Sequence, residues 1–201
     1  HMAGISSSNA GSRILEHANI KFTQEVLELC IAHKISNFVF LSSSLADDTR
    51  GPRYQGNYGK SKRAAEKVLT DAHNAGEIKL SILRPVNVYG PGMKGNISTL
   101  IKLISKNRLP PLPEVRNRIS LVSVKDVCQA IVLCLESPSD SRADTYTLTD
   151  GKQYRLNEIE AAIYKLVKRK QAGWRLPHVT ISSAALLAET LWILSGKSIG
   201  L

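Results

Sequence analysis

Apolar residues along this chain follow two spacings, one typical of strands and one typical of helices. Short apolar runs bounded by turn residues predict strands at 37–41, 79–83, 119–122 and 145–148. Longer stretches with apolar residues every three to four positions predict helices at 12–33, 58–75, 97–106, 125–136 and 156–170. Because strands and helices alternate, the chain is predicted to be an α/β protein.

Composition agrees with this class. The chain has 201 residues, of which 43% are hydrophobic and 22% charged, enough for one domain with a sizeable core. No signal peptide is evident, and the apolar run 181–194 is too short to span a membrane and contains Glu189. A cytoplasmic protein is therefore expected. Cys30, Cys128 and Cys134 have no metal or redox spacing and are predicted to be reduced core residues.

The net charge of +10 and the pI near 9.7 raise the question of a nucleic-acid partner. The basic residues, however, concentrate on two helices without interleaved aromatic residues, and no groove-entering motif is present. We therefore expect no nucleic-acid partner. The positive charge suits a diphosphate substrate equally well. The clustered residues are Lys60, Lys62, Arg63 and Lys67 on one helix and Lys165, Lys168, Arg169 and Lys170 at the end of another.

Tyr58 and Lys62 are the most informative pair in the sequence. Four residues apart on a helix, they project from the same face, so the ammonium group can approach the phenol and favour its ionised form. A free tyrosine titrates near ~10, and a neighbouring cation is expected to bring it closer to neutrality. The strand 37–41 and the serines 42–44 precede the pair. Hydroxyl, phenol and ammonium together indicate an acid/base site for hydride transfer.

The spacing alone is weak evidence, because the chain contains a second example. Tyr164 and Lys168 are also four residues apart, but they lie in a basic helical stretch with no serine-capped strand before it. This second pair is interpreted as a solvated helix face.

Five segments in order resemble the extended short-chain dehydrogenase/reductase family, which includes the NAD-dependent nucleotide-sugar epimerases, reductases and dehydratases. Within that family the chain is most similar to O-antigen enzymes that act on UDP-linked sugars, through the segments 92–96 and 109–113. The five segments are His1–Gly4, Asn19–Thr23, Phe38–Ser44, Tyr58–Lys62 and Leu83–Gly92.

The resemblance implies a doubly wound, Rossmann-like parallel sheet. It places an NAD-binding domain at 1–95 and a small substrate-binding subdomain at 96–201, interleaved with late Rossmann elements and with the site between them. Such proteins begin with a strand, a Gly-rich turn and a helix that hold the dinucleotide, and no Gly-x-x-Gly-x-x-Gly or Gly-x-Gly-x-x-Gly pattern follows an apolar run in this chain. The sheet is therefore expected to be truncated and the chain a fragment, homodimeric when full length.

The resemblance also implies site residues. The catalytic group is Ser43, Tyr58 and Lys62, although Ser42 or Ser44 remains open as the hydroxyl in place of Ser43. Lys62 is expected to hold the nicotinamide ribose and to lower the pKa of Tyr58. NAD is the expected cofactor, NADP is possible, and no metal is implied. The cofactor-binding residues are Ala3, Ser42, Tyr58, Lys62 and Pro85.

For the UDP-sugar, the resemblance implies contacts from Ser43, Asn87, Asn96 and Arg118. Relatives carry a phosphate-binding arginine where this chain has Ile119, so Arg118, or Arg116, is expected to reach that phosphate instead. Two further residues have expected roles by position. They are Asn19, which supports a proton-relay water in relatives, and Asp126, expected to be a helix N-cap.

Two candidate reactions of the family remain for this chain. Dehydratases of the family carry an acidic pair after the hydroxyl residue, and these positions are Ser44 and Leu45 here, so dehydration is not expected. The resemblance leaves 4-epimerisation of UDP-glucose or UDP-GlcNAc with a tightly held NAD, or 4-keto reduction with NAD(P)H. The alternative from another class is a non-catalytic, truncated paralogue.

Overall fold

A computed structural model describes residues 1, 12–50, 56–93, 95–109, 112–113, 118–137 and 143–175. Ala3, Arg116 and the run 181–194 lie outside the described residues. The chain divides into two compact units. One comprises His1–Val88 and Val122–Asp150, and the other comprises Tyr89–Leu121 and Gly151–Leu201.

Strands and helices alternate along the described residues, as the sequence predicts. The strands are β1 Asn37–Leu41, β2 Lys79–Pro85, β3 Asn87–Tyr89, β4 Arg118–Ser123, β5 Asp144–Leu148 and β6 Gln153–Arg155. The α-helices are α1 Ser12–Leu15, α2 Phe22–Ala32, α3 Asn57–Asn74, α4 Asn96–Ser105, α5 Val124–Glu136 and α6 Leu156–Leu166. A π-helical segment, Glu16–Lys21, joins α1 to α2, and 3-10 turns form at Ser44–Ala46 and Asp48–Arg50.

The first unit is built on a parallel sheet with the strand order β1-β2-β5. The register pairs Phe38 with Leu80 and Phe40 with Ile82, so large apolar side chains from neighbouring strands share one face. They pack against buried residues of α2 and α3, among them Leu27 and Leu69. The β-forming run Phe38–Leu41 thus becomes a strand because both its pairing edge and its face are buried.

Helices cover both faces of this sheet. Side chains alternate along β2, so Leu83 points away from the face that carries Leu80 and Ile82. Leu83 lines a groove with Ala130 and Cys134 of α5, and α5 also contacts β1. A parallel sheet with helices on both faces is the doubly wound arrangement, which confirms the predicted fold class.

The first helical stretch differs from the single helix predicted at 12–33. Its middle is the π segment Glu16–Lys21, and the buried residue of that segment is Asn19. The Asn19 side-chain amide donates to the Ser61 hydroxyl of α3 at 2.9 Å. A π turn inside an α-helix often marks a functional region, and here it carries the polar contact between this helix and α3.

The second unit contains the antiparallel pair β4–β6, with Arg118 opposite Arg155. Its core cluster joins Ile104 of α4 to Ile159 and Ile163 of α6. Tyr164 is half-buried against this cluster, so its interpretation as part of a solvated face is wrong.

The second tyrosine–lysine pair does not share a helix face at all. Helix α6 ends at Leu166, and Lys168 adopts a left-handed backbone conformation with φ 54° beyond that end. The pair therefore has no geometry comparable to that of Tyr58 and Lys62.

Two smaller expectations are also wrong. The N-cap of α5 is Ser123, whose hydroxyl accepts from the Asp126 backbone N–H at 3.1 Å, while the Asp126 carboxylate accepts from that hydroxyl at 2.7 Å. Cys128 is exposed and is not part of the core. Cys30, by contrast, packs against the core. Among the described helices, none is long and apolar enough to cross a membrane.

Candidate active site

The candidate site lies at the carboxyl end of β1, where the chain leaves the sheet and continues towards α3. The Ser42 backbone N–H donates to the Leu83 carbonyl at 2.7 Å and extends the pairing with β2 by one residue. The carboxyl ends of parallel strands are where α/β proteins bind ligands. The three serines 42–44 therefore emerge at the edge expected for a site.

Ser43 is the serine that meets the phenol. Its hydroxyl caps the 3-10 turn Ser44–Ala46 by accepting from the Leu45 backbone N–H at 3.2 Å. The same side chain hydrogen-bonds Tyr58. Ser42 and Ser44 are buried, with 4% and 8% of their surface exposed. Of the three candidates, Ser43 is thus the hydroxyl that the fold brings to Tyr58.

Tyr58 is the second residue of α3 and lies half-buried. Burial raises the pKa of its phenol above the ordinary value, and the hydrogen bond from Ser43 opposes that rise by favouring the phenolate. The phenol is consequently protonated near neutral pH in this structure.

Lys62 follows Tyr58 by one helical turn but points its ammonium group at the strand. Its Nζ donates to the Leu41 carbonyl at 3.1 Å and lies 4.9 Å from the ring centroid of Phe40. Burial lowers the pKa of Lys62 to about 8, against the opposing effect of the Glu66 carboxylate. The expectation that Lys62 lowers the pKa of Tyr58 is not met in this structure, because the shift of that phenol comes from burial and Ser43.

The proposed substrate contacts are distributed over both units. Asn87 is exposed on β3, two residues after Pro85 ends β2. In the second unit, Asn96 is the exposed first residue of α4, and Arg118 is the exposed first residue of β4. The roles of these three residues stay predictions.

Sequence reasoning missed a buried ion pair beneath the site. The Arg84 guanidinium donates to both carboxylate oxygens of Glu66, at 2.9 and 2.6 Å. Glu66 is buried at 5% exposure and lies one turn after Lys62 on α3. The sequence contained a signal for this pair, because an acidic residue four positions after Lys62 lies on the same helix face. When that face is buried, the carboxylate needs a cationic partner.

Sequence reasoning also missed the partner of Asn19. The expected role of Asn19 was support of a water, yet its side chain bonds Ser61, whose hydroxyl in turn donates to the Tyr58 carbonyl at 2.9 Å. The π segment is therefore linked through Ser61 to the first turn of α3. Within the described part of the chain, no group of His, Cys, Asp and Glu side chains could hold a metal ion.

Comparison with known proteins identifies relatives of this chain. The model of the NAD dependent epimerase/dehydratase family matches residues 1–148. UDP-glucose 4-epimerase of Vibrio cholerae is 26% identical over 178 residues, covering 82% of this chain and 53% of that protein. Ceramide reductase of Caulobacter vibrioides is 33% identical over 161 residues, covering 77% of this chain and 45% of that protein.

A solved structure shows the same fold. UDP-glucuronic acid 4-epimerase from Bacillus cereus, in complex with NAD, matches with a TM-score of 0.75 and 21% identity. The match covers 87% of this chain and 61% of that one. The chain belongs to the NAD-dependent epimerase/dehydratase family, a family of NAD-dependent enzymes with a Rossmann-like fold. It spans about half the length of the curated relatives it matches.

The groups at the end of β1 fit the reactive end of the family's dinucleotide. The Ser42 hydroxyl oxygen is buried and has no hydrogen-bond partner among the described residues, so a polar group of a ligand would satisfy it. The Lys62 ammonium group donates to the carbonyl of Leu41, the residue before Ser42, and Pro85 ends the neighbouring strand. Burial and charge therefore suit a ligand that carries both hydroxyl and amide groups.

Proposed function

We propose that this protein acts in NAD-dependent epimerisation of a nucleotide sugar at C4. The observation that carries the proposal is the hydrogen bond between Ser43 and the Tyr58 phenol at the carboxyl end of β1, with Lys62 one helical turn further along α3. This arrangement can move a proton to and from a sugar hydroxyl. The family match supports hydride transfer as the partner reaction.

In the proposed mechanism Tyr58 Oη acts as the phenolate, which the positive charge of the oxidised cofactor would favour, and accepts the proton of the C4 hydroxyl while the C4–H bond gives up a hydride and a C4 ketone forms. NAD, when bound, would supply the chemistry of taking up the hydride from C4 and giving it back. The Ser43 hydroxyl would hydrogen-bond both the sugar oxygen and the phenol and hold them in one geometry. Lys62 and Ser42 would hold the cofactor's ribose and amide groups. Tyr58 then returns its proton to the C4 oxygen, so protons and electrons balance.

A second candidate, 4-keto reduction, is favoured by two observations. Burial raises the pKa of Tyr58, and a protonated phenol is ready to donate a proton to a carbonyl oxygen. A reductase is among the relatives, at 33% identity. Reduction needs the same residues, with Tyr58 as the acid, and differs in that the reduced cofactor is consumed.

UDP-glucose and UDP-GlcNAc are the proposed substrates. A relative is a UDP-glucose 4-epimerase, and the net charge of +10 favours a diphosphate. Asn87, Asn96 and Arg118 are the proposed contacts, with Arg118 on a phosphate. A homodimer, a place in O-antigen biosynthesis and a cytoplasmic location complete the proposal.

The test is the conversion of UDP-glucose to UDP-galactose by the 201-residue chain with NAD. We expect Tyr58→Phe to lower turnover by about 10²-fold, because it removes the group that carries the proton. Tyr164→Phe is the matched control, since it changes a tyrosine with the same lysine spacing in the second unit, and its turnover should stay unchanged.

Three outcomes separate the candidates. Near-normal turnover by Tyr58→Phe contradicts the proposed acid/base role. Consumption of NADPH with a UDP-4-keto-sugar, without epimerisation, favours the reductase. Absence of both reactions in the unmodified chain favours the non-catalytic paralogue.

A further inference from the structure

Gly59, the residue after Tyr58, lies closer to the loop that carries Ser43 than a side chain would permit. A Cβ atom built on Gly59 would lie 2.3 Å from the Leu45 carbonyl oxygen and 3.0 Å from the Leu45 carbonyl carbon. Both of these neighbours are backbone atoms, which cannot swing aside as the end of a long side chain can. The first turn of α3 and the 3-10 turn after β1 are therefore in direct backbone contact, and only glycine fits there.

Leu45 connects this contact to Ser43. Its backbone N–H donates to the Ser43 hydroxyl oxygen at 3.2 Å, while its carbonyl oxygen abuts Gly59. The bond from Leu45 uses an acceptor site of Ser43 Oγ, which leaves the O–H of Ser43 to point towards the Tyr58 phenol. The orientation of the Ser43 hydroxyl thus depends on where the Leu45 peptide lies.

Arg63 fixes the same loop from one turn further along α3. Its Nε donates to the Ala46 carbonyl at 2.8 Å, and its guanidinium lies 3.5 Å from the Asp48 carboxylate. Gly59 and Arg63 are four residues apart, so they share a helix face and meet consecutive residues of the loop, Leu45 and Ala46. Two contacts of different kinds, one steric and one a charge-assisted hydrogen bond, therefore hold one short segment.

We propose that Gly59 and Arg63 are positioning residues that clamp the segment Ser44–Asp47 to α3 and thereby keep the Ser43 hydroxyl on the Tyr58 phenol. Neither residue contacts the proposed reacting atoms. Gly59 permits the close approach, and Arg63 secures the loop in it. Any consequence for turnover rests on the proposed function, whereas the coupling between Ser43 and Tyr58 does not.

An alanine at position 59 would force the Leu45 carbonyl oxygen to retreat from 2.3 Å to at least 3.0 Å from the new Cβ atom. That displacement moves the peptide whose N–H holds Ser43 Oγ. We expect the Ser43–Tyr58 hydrogen bond to be lost while the helix itself remains, because alanine is the better helix former.

The experiment measures the pKa of Tyr58 in the 201-residue chain by NMR titration with tyrosine labelled at ¹³Cζ. The Tyr58 signal is assigned with Tyr58→Phe. Ser43→Ala should raise the Tyr58 pKa in the unmodified chain, because it removes the hydrogen bond that favours the phenolate. In the Gly59→Ala background, Ser43→Ala should produce no further rise.

Gly56→Ala is the matched control, because Gly56 precedes the same helix and a Cβ atom there would have nothing within 4 Å. In the Gly56→Ala background, Ser43→Ala should raise the Tyr58 pKa as in the unmodified chain. The surrounding charges on Lys62, Arg84, Asp47 and Asp48 are the same in all these proteins, so their effects cancel in the comparison.

If Ser43→Ala raises the Tyr58 pKa in the Gly59→Ala background as much as in the unmodified chain, the proposed role of Gly59 is wrong. If Gly59→Ala does not fold, Arg63→Met decides, since it keeps an unbranched side chain at a partly exposed position and removes the bond to Ala46. In the Arg63→Met background, a smaller rise of the Tyr58 pKa on Ser43→Ala supports the clamp. A rise as large as in the unmodified chain contradicts the clamp. None of these readouts requires turnover, so failure of the clamp and failure of the proposed reaction are distinguished.

Discussion

Lys62 places an ammonium group in a buried position where its protonation opposes folding. Its pKa is about 8 in the folded chain, against an ordinary value of 10.5, and burial is the main cause. Between these two pH values the unfolded chain binds more protons than the folded chain, so stability rises with pH over this window. The contribution of Lys62 to stability is therefore least favourable below pH 8 and improves towards pH 10.5.

We expect this behaviour to appear in urea unfolding of the unmodified chain and of Lys62→Met. From pH 8 upwards, the free energy of unfolding of the unmodified chain should rise relative to that of the variant. The rise should reach at most about 3 kcal/mol at pH 10.5. Lys60→Met, which removes an exposed charge from the same helix, is the control. A difference between the unmodified chain and Lys62→Met that is constant from pH 7 to pH 10 contradicts this prediction.

The site residues show what spacing can and cannot predict. Tyr58 was predicted from its spacing to Lys62 after a serine-capped strand, whereas Ser43 was assigned through the family resemblance, with its two neighbouring serines left open. The direction of the Lys62 side chain was not predictable, since spacing fixes a helix face but not whether the Leu41 carbonyl or the phenol takes the ammonium. The role of Gly59 was not predictable from spacing either, because it depends on a backbone contact with Leu45 across the loop.

At the scale of elements, the Glu66–Arg84 pair joins α3 to β2 beneath the site. The contact is bidentate, and side-chain exposures of 6% for Glu66 and 23% for Arg84 keep it largely from water. We expect Arg84→Met to lower the free energy of unfolding by roughly 3 kcal/mol or more, because the Glu66 carboxylate is left buried and unpaired. Denaturant unfolding at neutral pH measures this loss.

The double variant Glu66→Met/Arg84→Met is the informative partner, because it removes the buried charge together with its counterion. It should recover most of the lost stability. Lys67→Met is the control, since its ion pair with Asp71 is exposed on the same helix and should contribute less than about 1 kcal/mol. Equal losses from Arg84→Met and Lys67→Met would show that the Glu66–Arg84 pair is not desolvated.

Strands and helices could be predicted from the sequence where their side chains are buried. The apolar run Asn37–Leu41 gave β1 with the observed bounds, because its side chains are buried and flanked by polar turns. The strands β3 and β6 were missed, since each has three residues and largely exposed side chains that form no apolar run. The π segment was missed as well, because the apolar spacing around Asn19 is compatible with a continuous α-helix.

At the scale of the whole molecule, the chain is strongly basic, with a net charge of +10. Ser42, Lys62 and Pro85 are the residues that we propose to contact the reactive end of the cofactor. Tight dinucleotide binding also needs a Gly-rich turn whose helix N-terminus holds the pyrophosphate, and the sequence predicts no such turn directly after an apolar run. The two proposed ligands should therefore bind this chain with different affinities.

We expect isothermal titration calorimetry to detect binding of UDP-glucose and to find much weaker binding of NADH. The UDP-glucose affinity should fall between 50 and 200 mM salt, because a basic protein attracts a diphosphate partly through long-range charge. UDP-glucose with Arg118→Met tests the phosphate contact, and Lys152→Met removes an equal charge from the same unit as its control. Micromolar NADH binding would contradict the prediction and require a dinucleotide site built from other residues, whereas binding of neither ligand would contradict the proposed substrate class.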